Sequence, residues 1–114
     1  MNKIESIQRN RKWGYGKMMS MNSKVFKAFM EMDNATYVDG ALSKKSKELI
    51  AVGISVIINC ESCMEWHIRE AARDGATKEE VLEAVEVGIE MGGGPATVFA
   101  RFALEVMDDV FGNE

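Results

Sequence analysis

Apolar positions recur along the chain at helical spacing. Met18, Met21, Val25, Phe26, Phe29 and Met32 fall mostly three or four residues apart and predict one helix face over residues 18–32. That face reads as a core or subunit-interface surface, the alternative being an exposed greasy binding surface. Residues 33–43 (DNATYVDGALS) break the pattern and read as a loop. Ser43 then supplies an N-cap for a helix from Lys44 to about Ile58. Its second half, Ala51–Ile58, is rich in β-branched residues, which favour strands. No other segment reads as a convincing strand, and one strand cannot make a sheet, so a buried helix is the better reading. It is apolar on nearly every side beyond Glu48 and must be enclosed by other helices or by another subunit. A further helix is predicted from about Ser62 to Asp74, closed by Gly75 as a C′ residue. Thr77 and Glu80 form a capping box opening a helix whose inner face carries Val81, Ala84, Val85 and Ile89. Gly92–Gly94 break that helix, and Pro95 sits in the first turn of a last one. The triple glycine reads as a tight turn rather than an anion cradle, since it matches no phosphate-binding motif and no lysine follows. The pattern predicts an all-α fold of about five to six helices.

Composition narrows the function classes. The chain has 114 residues, a length natural for one domain, with 46% hydrophobic and 28% charged residues. That balance excludes a disordered chain. The formal net charge of −4 argues against a nucleic-acid partner. The longest uncharged apolar run, Leu49–Ile58, is half of what a membrane span needs, so no membrane partner is expected. The polar N-terminal stretch has no apolar leader core, and the expected location is cytoplasmic. Charge is unevenly spread: residues 1–27 hold seven basic residues and one acidic, residues 70–114 three basic and eleven acidic. Residues 1–17 are therefore read as a basic N-terminal arm and 18–114 as a single domain, the arm lying on an acidic neighbouring subunit or in solvent, with recruitment of an acidic partner or phosphate as the alternative. The apolar surface implied by residues 49–58 and by the Met/Phe stripe exceeds what a small monomer hides, which predicts a homo-oligomer.

The candidate chemistry lies in Cys60-Glu-Ser-Cys63-Met-Glu-Trp-His67. At about 100° per residue the two cysteines and His67 fall within about 60° of arc on one helix face. Cys63 and His67 are i, i+4 neighbours, and His67 is the only histidine. A thiol is reactive as thiolate, and both a helix N-terminus and a histidine favour that form. A second thiol three residues away can resolve a sulfenic acid into a disulfide. Glu48, if it faces inward, is a buried carboxylate able to orient the histidine or exchange protons with it. Spacing alone leaves three readings open: a redox pair, a metal site of Cys60, Cys63, His67 and perhaps Glu48 as fourth ligand, or inert core residues. A c-type haem motif fails, because Met64 follows Cys63.

Glu48, eleven residues, Cys60-x-x-Cys63, three residues and His67 together resemble the alkylhydroperoxidase D-like, or carboxymuconolactone decarboxylase, family. The flanks GALSKKSKELIAVGISV and REAARDGAT-EEVLEAVEVGIEMGGGPA are also similar, and the likeness covers roughly residues 26–104. The resemblance implies a helical bundle whose subunits assemble as trimers or hexamers. It implies a thiol-based peroxidase or disulfide reductase, with Cys63 the peroxide-reactive thiol, Cys60 the resolving one and Glu48 and His67 a proton relay. The implied partners are a hydroperoxide or disulfide substrate and a dithiol reductant, such as a lipoyl-bearing protein; no cofactor or metal is implied. The helix dipole argues differently for the cysteines, since Cys60 lies nearer the helix start. One departure is Ser62, where alkylhydroperoxidase D proper carries a histidine; this chain is also shorter. Two other functions stay open: a decarboxylase in which His67 and Glu48 act as acid and base, and a non-enzymatic, metal-holding oligomer.

Overall fold

The computed structural model describes residues 1–112 and contains, among them, six helices and no strand: α1 Lys3–Ser20, α2 Lys24–Thr36, α3 Lys44–Ile57, α4 Glu61–Arg73, α5 Lys78–Gly92 and α6 Gly94–Phe111. Most boundaries follow from local chemistry. Ser43 caps α3 through its side chain, and Asp39 accepts the Lys44 N–H at 2.7 Å as a second cap. Thr77 and Glu80 make the reciprocal capping box of α5. Gly75, at φ +93°, follows α4 in the left-handed region. Gly93, at φ +73°, turns the chain between α5 and α6, and Pro95 occupies the first turn of α6.

The N-terminal third departs from expectation. The segment read as a basic arm is helical, opened by an Asn2–Glu5 capping box. The stripe over residues 18–32 does not lie on one helix: Asn22, at φ +56°, ends α1, and Ser23 caps a new helix. α2 runs on to Thr36, so the loop is shorter than the eleven residues expected. Neither α1 nor α2 buries a residue, and Val25, Phe29 and Met32 remain exposed. The stripe is thus not core of this chain. Tyr15 meets Phe26 edge-on at 5.2 Å, pinning α2 to α1.

The core lies among α3, α4, α5 and α6, centred on Val52, Val56, Met64, Ile68, Val85 and Val106, with Ile4 and Ile7 of α1 against its flank. α3 and α5 pack tightly at two glycines, Gly53 and Gly88. A Cβ at Gly88 would lie 2.6 Å from the Gly53 carbonyl oxygen, and one at Gly53 3.0 Å from that of Ala84. Beside this contact runs an open apolar groove of about 470 Å³, lined by residues including Ile50, Ile54, Ile57, Val87 and Met91. Ile50 and Ile54 are each 51% exposed, so the chain alone does not enclose α3 as its composition demands.

Candidate active site

α3 and α4 bring the motif together. Cys60 is the N-cap of α4: its Sγ accepts the Cys63 N–H at 3.2 Å. The two cysteines are joined in a disulfide across a Cα–Cα distance of 5.1 Å. Both are partly exposed, whereas the α4 residues on the inner face, Met64 and Ile68, are fully buried. His67, one turn beyond Cys63, turns its ring to α3, where Nδ1 meets Glu48 Oε1 at 2.6 Å. Glu48 is 1% exposed, the inward carboxylate that the sequence suggested. Where Glu48 is ionised it can only accept, so the hydrogen of this contact sits on Nδ1 and Nε2 is left as the ring atom open to a proton partner.

Three neighbours were not foreseen. Lys44 donates to Glu48 Oε2 at 3.0 Å and to Asp74 Oδ2 at 2.7 Å, with Glu70 Oε1 at 3.5 Å. Burial works against the Lys44 ammonium, but its bonds to Asp74 and Glu48 outweigh that and hold its proton well above the ordinary lysine range. Glu48 is thereby gripped on both oxygens, by a cation on one and the imidazole on the other. The i, i+4 spacing of Lys44 and Glu48 was the available signal. Tyr37, at the end of α2, lays its ring 5.1 Å from that of His67. Burial, then the charges of Glu48 and Asp33, raises its phenol above the ordinary value, so it stays protonated beside the imidazole. Its place in an expected loop gave no hint of this.

The third is Glu65, 1% exposed on the α4 face towards α1. Arg69 Nε donates to Oε2 at 2.7 Å and Gln8 Nε2 at 2.9 Å, while Oε1 faces Arg11 Nη1 at 2.7 Å as an ion pair without an aligned hydrogen bond. Burial alone would raise this carboxyl; the contacts from Arg69, Gln8 and Arg11 outweigh it and hold it below its ordinary 4.5. A depressed folded value gives stability that is complete above the unfolded value and lost as pH falls through the folded one. In paired acid titrations of thermal stability, the advantage of the wild type over Glu65→Gln should be full above about pH 4.5 and shrink below it. A constant difference across that range would contradict the ion-pair account.

Among the described residues no group of three or more His, Cys, Asp or Glu side chains is arranged to hold a metal ion. Nor is any of their helices long and apolar enough to cross a membrane. The α3–α5 groove includes none of the motif residues among its lining.

Fold and site define an all-helical protein with a cysteine pair at one helix start, next to a histidine anchored on a buried carboxylate. The model of the carboxymuconolactone decarboxylase family matches residues 23–106, and the chain belongs to that family, which includes enzymes. Uncharacterized protein 4 in the cox locus of Paracoccus denitrificans is 37% identical over 97 residues, covering 85% of this chain and 87% of that one. Alkyl hydroperoxide reductase AhpD of Corynebacterium kroppenstedtii is 30% identical over 95 residues, 74% of this chain but only 55% of that longer protein. Among solved structures, the apo form of a carboxymuconolactone decarboxylase family protein of Legionella pneumophila superposes with a TM-score of 0.90 at 32% identity, covering 99% of this chain and 100% of that one.

Proposed function

We propose that this protein is a thiol-dependent peroxidase or disulfide reductase whose redox centre is Cys60–Cys63, with His67 and Glu48 moving protons. The observation that carries the reading is a cysteine pair at a helix N-terminus, one turn before a histidine held on a buried carboxylate. In the dithiol form the Cys63 thiolate attacks the terminal oxygen of a hydroperoxide. The O–O bond breaks, Cys63 becomes a sulfenic acid, and the alkoxide leaves as alcohol with a proton passed through His67. Cys60 then attacks the sulfenic sulfur, releasing water and closing the disulfide. A dithiol supplies two electrons and two protons to reopen it and leaves as its own disulfide. Cys63 is assigned the first attack because His67 lies one turn away. Cys60 suits the resolving role, because the N-cap favours negative charge on its sulfur when the bond reopens. A cytoplasmic setting, where thiols are kept reduced, supplies that dithiol. The test is peroxide consumption by the wild type with dithiothreitol, which should turn over repeatedly and cease in the doubly serine-substituted protein. Full peroxide consumption in that variant would refute the cysteine redox centre, whereas a lactone decarboxylation that survives loss of both thiols would favour acid–base chemistry by His67 and Glu48.

The working form is proposed to be a homo-oligomer, a trimer or hexamer, because the α3–α5 groove and the α1–α2 stripe leave apolar faces uncovered. Light scattering at micromolar concentration should give a mass at least three times that of the chain. A monomer would refute the assembly.

A further inference from the structure

The two residues enclosed by the cysteines, Glu61 and Ser62, are both held from outside α4, and both by α1. Lys3 Nζ reaches Glu61 Oε2 at 2.6 Å. Arg11 Nη2 donates to the Ser62 carbonyl at 2.9 Å and lies 3.1 Å from its hydroxyl, while Nη1 of the same guanidinium faces buried Glu65. The guanidinium also sits 5.3 Å from the Trp66 ring, so four groups in the first turns of α4 meet one side chain. This is a planar fork used as a brace, which an ammonium cannot reproduce. The family match starts at residue 23, so the brace comes from a helix outside the matched segment.

We propose that Arg11 is a positioning residue for the cysteine pair. Anchored on Glu65, it holds the Ser62 turn at the span that the disulfide requires. This rests on the redox role proposed above for the same pair. Opening the disulfide takes two electrons and two protons: dithiothreitol becomes its cyclic disulfide, and Cys60 and Cys63 become thiols. In the dithiol form nothing covalent fixes the turn, and Arg11 keeps the sulfurs near closing distance, which raises the effective concentration of one for the other. Without the brace the turn samples wider spans, so closure loses ground to the open form. Gln8 provides the contrast. It also ties α1 to Glu65, but among the described residues it makes no hydrogen bond to Glu61 or Ser62.

The experiment equilibrates the whole protein with dithiothreitol buffers of set ratio and counts free thiols, for the wild type, Arg11→Gln, Arg11→Lys and Gln8→Ala. Both Arg11 variants should shift the equilibrium towards dithiol by about five- to tenfold, a tenfold change being about 30 mV for a two-electron couple. Arg11→Lys keeps the charge beside Glu65 and carries the test if Arg11→Gln does not fold. Gln8→Ala should stay within about twofold of the wild type, although it too weakens the α1–α4 contact. Shifts below about threefold in the Arg11 variants, or an equal shift in Gln8→Ala, overturn the proposal. Peroxide turnover is assayed alongside: an unmoved equilibrium in a protein that turns over sinks the brace alone, and a moved one in a protein without turnover sinks the enzymatic reading alone.

Discussion

Cys63→Ser should lower peroxide consumption by about 10³-fold or more, because a serine hydroxyl beside the same histidine has neither the acidity nor the polarizability of a thiol. Cys60→Ser should also end turnover, but by a different route. Its Cys63 can still attack peroxide once, and the sulfenic acid then has no partner in the chain. A sulfenic-acid trap should therefore label Cys60→Ser stoichiometrically and leave Cys63→Ser unlabelled. Labelling only in Cys63→Ser would reverse the two assignments, in favour of the helix-end argument for Cys60. The two variants also differ structurally. Serine is a good N-cap, so Cys60→Ser keeps an acceptor for the Cys63 N–H and α4 should start where it does now. Loss of activity in that variant then reports on sulfur chemistry and not on a frayed helix.

The second large effect is on stability. Gly88→Ala should cost about 2 kcal/mol or more, although alanine is intrinsically the better helix former by about 1 kcal/mol. The added methyl would meet the Gly53 carbonyl at 2.6 Å, and a backbone oxygen cannot move aside as a flexible side chain can. α3 and α5 must separate, which shifts Glu48 on α3. At about 4 °C or more per kcal/mol the melting temperature should fall by at least about 8 °C. Gly16→Ala is the matched control: it lies inside α1 with nothing within 4 Å of the added methyl, and it should stabilise by about 0.5–1 kcal/mol. Calorimetry on the two variants should give opposite signs. A neutral Gly88→Ala would mean that the α3–α5 contact is looser than described.

What could be read in advance had short reach along the chain. Ser43, Gly75, Thr77 with Glu80, and Gly93 each act on the few residues beside them, and each lies where its chemistry requires. The Glu48–His67 contact spans 19 residues; Glu48 is a candidate as the last charged group before the apolar run, and the motif's resemblance to a family adds its spacing to the cysteines and His67. Glu65 went unnoticed because its partners Gln8 and Arg11 lie more than fifty residues away, and a glutamate two places past a cysteine looks like any solvated side chain. α1 left a weak signal for a related reason: it offers the core only Ile4 and Ile7, and its other large apolar residues, Trp13, Tyr15, Met18 and Met19, are exposed, so its apolar period is faint. The Met/Phe stripe had a genuine helical spacing, but Asn22 divides it, and asparagine's tolerance for the left-handed region leaves little trace in a periodicity argument.

The sulfur that begins α4 gives the protein an unusual kind of readout. Most helices are started by an oxygen whose bonding never changes. Here the atom receiving the first amide proton is one that gains and loses a covalent partner during the proposed cycle. The Cys63 amide is therefore an internal gauge of electron count, and its nuclear resonance would follow the reaction without a label or a dye.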